Sequence, residues 1–233
     1  MINELHARLH RPEKGWDPIP PLHAQNYAAQ EWNLAASGTV SQDLDDLENQ
    51  IGKLSGKRVL DLGGGPGQYS IGMAERGAIV TWHDISAAYR TVVLAKAEAH
   101  HVTIETSLGY LEEAEKLNKN PFDIVFNRIC WRYCMNDRRF AKIVYSLISP
   151  GGYGVIQEEY DEGIQGGKRK ILIDFYRRTG VKIGHLYPVK GVIVASLSRL
   201  PVQNLTEIYD KHKNGCDVIF RKPSGSREAK SSR

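Results

Sequence analysis

Cysteine is scarce in this chain: Cys130, Cys134 and Cys216 are the three in 233 residues. An odd count without framework spacing excludes a disulfide scaffold and points to a reducing compartment. Cys130 and Cys134 lack a histidine-rich partner segment that would complete a zinc site, so all three are read as core residues. No apolar run is long enough to span a membrane, and no signal-peptide apolar segment opens the sequence. A cytoplasmic protein is expected. Charge of one sign is modest too: the net charge is +4 and the pI near 8.9, too small a surplus to require nucleic acid as a partner. With 41% hydrophobic and 25% charged residues, the composition is that of one well-cored domain with a decoration.

What is present falls into three stretches with no internal repeat: an N-terminal helical arm over 1–52, a main domain over 53–222 with an inserted cap at about 160–191, and a polar tail, 223–233, expected to be disordered. Prolines between His10 and Pro21 keep the start of the arm extended, and helices are expected over Leu22–Leu34 and Gln42–Ile51. From Lys57 strands and helices alternate. Arg58–Leu62, Ala78–Trp82, Val102–Thr106, Phe122–Asn127 and Tyr153–Gln157 read as strands. Gln68–Arg76, Ala87–His100 (capped by Ser86) and Arg138–Leu147 (capped by Asp137) read as helices. Such alternation predicts a parallel sheet with right-handed crossovers. Helices are expected again at Lys168–Arg178 and Val192–Leu200. Asn214-Gly215 between Val202–Tyr209 and Cys216–Arg221 then signals a closing antiparallel hairpin.

The densest signal is Val59-Leu60-Asp61-Leu62-Gly63-Gly64-Gly65-Pro66-Gly67, a strand that runs into a glycine loop and then a helix. Two nucleotide readings fail on what is missing. Counting from Gly63, the dinucleotide fingerprint needs a sixth-position glycine where Gln68 stands. The phosphate-binding loop needs Gly-Lys-Ser/Thr where Gly67-Gln68-Tyr69 stands. The pattern that fits is Asp61, Gly63, Gly65 and Gly67. A carboxylate so close repels a pyrophosphate and suits a ligand with an ammonium and a sulfonium.

These residues, with Val80–Ser86 around Asp84, the strand Phe122–Asn127 and the turn Ser149–Tyr153, resemble the motifs of class I S-adenosylmethionine-dependent methyltransferases, in the family's order. The resemblance covers about 57–157. It implies an α/β, Rossmann-like, seven-stranded, mostly parallel sheet with helices on both faces and a C-terminal antiparallel hairpin. It also implies S-adenosyl-L-methionine as cofactor. Gly63, Gly64, Gly65 and Gly67 would then cradle the donor, Asp61 would face its amino group, and Asp84 would take both ribose hydroxyls. Ile85 would pack on the adenine. Where the family often has an acid after the third strand this chain has Ser107-Leu108-Gly109, so Leu108 would contribute through its backbone. Asn127 and Arg128 would line the methyl-donor pocket.

Methyl transfer from a sulfonium needs proximity, orientation and, for some acceptors, a base. Family relatives place histidines after the fourth strand, where this chain has Trp131-Arg132-Tyr133. The catalytic candidates are Glu158, Tyr133 and His185, and the acceptor-binding candidates are Tyr27, Trp32, Arg132 and Tyr160. Clustered cations, Arg128 and Arg132 among them, raise the expectation of an anionic acceptor. The expected function is methylation of a small molecule, on a hydroxyl of a sugar, glycolipid or specialised metabolite, by a monomer or homodimer with no metal. The alternatives are an RNA or protein methyltransferase and a non-catalytic S-adenosylmethionine-binding regulator. An Asn-Pro-Pro-Tyr-type motif for base methylation is absent after Asn127.

Overall fold

Apolar runs without polar alternation make strands that are buried on both faces, as in Arg58–Leu62 and Phe122–Arg128, and five strands pair in parallel. They are β1 (Arg58–Leu62), β2 (Ile79–Asp84), β3 (Ile104–Leu108), β4 (Phe122–Arg128) and β5 (Ile148–Glu159). β6 (Gln203–Asp210) and β7 (Gly215–Arg221) add an antiparallel hairpin, with β7 inserted beside β5. In the computed structural model the sheet order is β3-β2-β1-β4-β5-β7-β6, the expected Rossmann-like architecture. The structure describes residues 9–10, 19–134, 136–160, 171–172, 174–175, 178–179, 182–183, 187–210 and 215–224.

Side chains alternate across each strand, so the sheet divides the core in two. Val59, Val80, Trp82, Ile124, Phe126 and Val155 face one way, against α2 (Thr39–Ile51), α3 (Gln68–Glu75) and α4 (Ala87–Ala99). Leu60, Leu62, Val125, Ile156 and Phe220 face the other, against α5 (Asp137–Leu147), α6 (Val192–Leu197) and a 3-10 segment, Leu111–Lys119. Full burial of each such side chain contributes about 1.5–3 kcal/mol. The arm helix α1 (Pro21–Ala36) lies against α4 and α2 and reaches α3.

Several boundaries move. The cap of α5 is Asn136, whose side chain accepts from Arg139 N at 3.1 Å; Asp137 is instead the first helical residue and accepts from Trp131 Nε1 at 2.9 Å. β5 starts at Ile148 and carries the Pro-Gly-Gly turn as an irregularity, because Phe122 pairs with Ile148 and Ile124 with Tyr153. Leu9–His10 pairs antiparallel with Lys182–Ile183, a ribbon that joins the arm to the insertion. The expected Lys168–Arg178 helix is only partly among the described residues, and most of the tail lies outside them.

Candidate functional site

β1 is central, and the chain leaves it toward β2 on one side and β4 on the other. The crevice outside the carboxyl ends of these strands is where open α/β sheets bind ligands. The glycine loop lies there. Gly63 N and Gly64 N both donate to His83 O, at 2.7 and 3.3 Å, and Trp82 Nε1 donates to Gly65 O at 3.1 Å. Two glycines show why no other residue serves. A Cβ on Gly64 would run into the Trp82 indole and come within 2.9 Å of Asp61 Oδ2. Gly65 has φ +50°, and a Cβ there would meet nothing within 4 Å, so the loop opens onto free space at that position.

Asp61 is buried and accepts from Ser70 Oγ at 2.6 Å. Burial raises its pKa to about 7, Asp84 adds to the rise, and Ser70 and Arg128 oppose it. Asp84 is placed by β2 across from the loop. Its Oδ2 accepts from Gly65 N at 3.0 Å and its Oδ1 from Ser86 N at 2.9 Å. Ile85 is half-buried beside it. Asn127 donates from Nδ2 to Leu62 O at 2.7 Å, and its Oδ1 is buried without a partner. Arg128 lies over the Tyr69 ring at 4.7 Å. The Leu108 carbonyl is taken by Lys116 Nζ at 2.9 Å, so any adenine contact from Leu108 must use another atom.

Sequence reasoning passed over His83, Gln68, Glu31 and Tyr89. His83 is fully buried, with Nε2 against Tyr110 O and Nδ1 against Ser107 Oγ, both at 3.1 Å; burial lowers its pKa to about 4 and keeps it neutral. Gln68 Nε2 donates to Glu31 Oε2 at 2.7 Å and Trp32 Nε1 donates to Pro66 O at 3.2 Å, so α1 is fastened to the glycine loop itself. Tyr27 and Glu31 stand one helical turn apart and share a face, a spacing visible in the sequence. Burial, with the Glu31 carboxylate nearby, raises the Tyr27 pKa to about 12.

The candidates for chemistry scatter. Glu158 is buried and accepts from Arg132 N and Nε at 3.0 Å each and from Glu159 N at 2.9 Å, and the Arg132 guanidinium also reaches Glu159. The Glu158 carboxylate, a candidate base in the sequence, is thus held by the Arg132 guanidinium and two backbone amides. Arg132, expected to bind the acceptor, is 5% exposed, has two carboxylates for partners and lies over the Tyr187 ring at 4.1 Å. Tyr160 is buried, donates to Glu207 Oε1 at 2.6 Å and belongs to the core. Trp32 is spent on the loop carbonyl, Lys96 and His100. The Tyr27 and Tyr89 rings lie 6.2 Å apart, tilted by 52°. Cys130 is only half-buried and its Cβ would lie 2.8 Å from a Cβ on Gly63, so it borders the loop; Cys134 and Cys216 are core residues. His185 lies outside the described residues. Among the described residues no group of three or more His, Cys, Asp or Glu could hold a metal, and no helix is long and apolar enough to cross a membrane.

Residues 59–152 match the family model described as a methyltransferase domain. The chain is similar to the ubiquinone biosynthesis O-methyltransferase of Bordetella avium, 28% identical over 141 residues, which are 59% of this chain and 53% of that protein. It is also similar to the tRNA 5-carboxymethoxyuridine methyltransferase of Escherichia coli K12, 26% identical over 144 residues, 60% of this chain and 54% of that one. Among solved structures, an O-methyltransferase family protein from Burkholderia thailandensis superposes with a TM-score of 0.62 at 20% identity, over 87% of this chain and 60% of that one. Over residues 59–152 the chain carries a methyltransferase domain, and the class I enzymes that its motifs resemble take their methyl group from S-adenosylmethionine. It spans about half the length of the curated relatives it matches.

Proposed function

We propose that this protein transfers the methyl group of S-adenosylmethionine to a hydroxyl of a small molecule that enters between α1 and the carboxyl edge of the sheet. The observation that carries the reading is the juxtaposition of Asp84 with the open face of Gly65, beside the unpartnered Asn127 Oδ1 and the buried Asp61. These residues fit the donor. Asp84 would hold the ribose hydroxyls, and Asp61 and Asn127 the ammonium end, while Gly65 leaves room for the chain between. When bound, the donor supplies an electrophilic methyl on a positively charged sulfur. It would give up that methyl to the acceptor oxygen with the bonding electrons kept on sulfur, and the oxygen's proton would pass to solvent. The protein's part is positioning and exclusion of water: α1 covers the loop through the Glu31–Gln68 and Trp32–Pro66 bonds, and the Tyr133 side chain, kept protonated by burial, would border the acceptor.

Calorimetric titration with S-adenosylhomocysteine tests the donor half. Wild type should bind, and Asp84→Ala should bind about ten- to a hundredfold more weakly, since two charge-assisted bonds are lost. No binding by wild type removes the donor reading; equal binding by both removes the role of Asp84.

A further inference from the structure

Arg128 closes β4 at the carboxyl edge of the sheet. Phe126 pairs with Asp61 of β1, so Arg128, two residues further on, stands just past β1 where the glycine loop begins; on its other side it pairs with Gln157 of β5. Alternation puts its side chain on the face of Ile124 and Phe126, toward α3. There the guanidinium lies 4.7 Å over the Tyr69 ring, which also meets the Phe126 ring at 5.5 Å and whose hydroxyl is bonded to Asp43. The next residue, Ile129, has φ +49°, a conformation that β-branched residues rarely adopt, and its N–H is tied to Gln157 O at 2.7 Å. The chain holds this strained turn at the point where Arg128 meets the loop.

The two arginines of this edge differ in what they hold. Arg132 has Glu158 and Glu159 for partners. Among the described residues the Arg128 guanidinium has no carboxylate partner and donates no hydrogen bond, although the residue is half-buried. Its five N–H groups are unspent, and the acceptor that matches their planar fork is a carboxylate. We propose that Arg128 binds a carboxylate of the reactants, supplied either by the amino-acid end of the donor or by an acid group on the acceptor. The proposal rests on the methyltransferase reading above and adds the anion contact that this reading leaves open.

The test is calorimetric titration of the full chain. S-adenosylhomocysteine is compared with its decarboxylated analogue, which keeps the amine, and benzoate with benzamide on protein saturated with S-adenosylhomocysteine. Arg128→Gln removes the charge, and Arg128→Lys keeps it without the paired N–H groups. If the donor supplies the carboxylate, wild type should favour S-adenosylhomocysteine over the analogue by about tenfold or more, and Arg128→Gln should bind the two about equally. If the acceptor supplies it, Arg128→Gln should keep the wild-type ratio for that pair and lose a preference of about tenfold for benzoate over benzamide. Arg128→Lys should fall between wild type and Arg128→Gln in the arm that responds, and it carries the test if Arg128→Gln does not fold. Variants that keep both wild-type ratios overturn the proposal, as does a wild type with neither preference. Loss of affinity by one factor for all four ligands also overturns it, since Arg128 then only supports the loop. Failure of S-adenosylhomocysteine to bind wild type falls on the donor reading instead.

Discussion

Replacement of Asp61 by asparagine separates the cost of a buried carboxylate from its use. The side chain is 2% exposed and its pKa is raised to about 7. With that value about a tenth of the protein carries an ionised Asp61 at pH 6 and about nine-tenths at pH 8. A ligand whose ammonium requires the carboxylate should therefore bind about tenfold more tightly at pH 8 than at pH 6, with close to one proton released on binding at the lower pH. Calorimetric titration of S-adenosylhomocysteine at both pH values, in buffers of different ionisation enthalpy, measures both quantities. Asp61→Asn should bind more weakly at pH 8, lose the pH dependence and release no proton. Stability should move the other way. Because the folded pKa lies above the unfolded one, the contribution of neutral Asp61 is fully present below about pH 4 and is lost as pH rises through 7. At about 1.4 kcal/mol per pH unit the loss approaches ~4 kcal/mol. The asparagine variant should then be more stable than the ligand-free wild type at pH 8. A wild type with pH-independent affinity, or a variant that keeps the wild-type slope, refutes the assignment of Asp61 to the ammonium.

His83 has the opposite sign. Its folded pKa of about 4 lies below the unfolded 6.5, so its contribution is present above pH 6.5 and is lost as pH falls toward 4, by about 3 kcal/mol. Denaturant titrations of His83→Gln at pH 7 and 4.5 should show a smaller acid loss than wild type; an equal loss refutes the assignment. Arg132→Met should lower stability by about 3–5 kcal/mol by leaving Glu158 buried without its counter-charge, and the further change Glu158→Gln should restore part of it. Unchanged melting of Arg132→Met would show that the pair is not structural.

Local signals made the glycine loop and the acids beside it legible in advance. Asp61, the glycines and Asp84 belong to short stretches in which strand, turn and cap follow one another, and the hydrophobic runs specify strands that can only be buried in a sheet with helices on both faces. Ser86 caps its helix as its position implies, with Tyr89 N donating to its hydroxyl. The acceptor side was not legible in the same way. Glu158 and Arg132 each looked available for chemistry, and nothing local says that they will meet; 26 residues separate them, and adjacency of the β4 turn to β5 brings them together. Trp32, an aromatic in an arm of unknown placement, turned out to hold that arm to the Pro66 carbonyl, with Lys96 and His100 against its ring.

The sequence by itself determined the donor and the layer architecture, because a glycine loop between a strand and a helix and an acid ending the next strand are written in consecutive residues. Only the tertiary structure decided which charges remain for a substrate. Whether a side chain is neutralised depends on the partner that another strand or helix brings within about 3 Å, and that is a property of the packed chain.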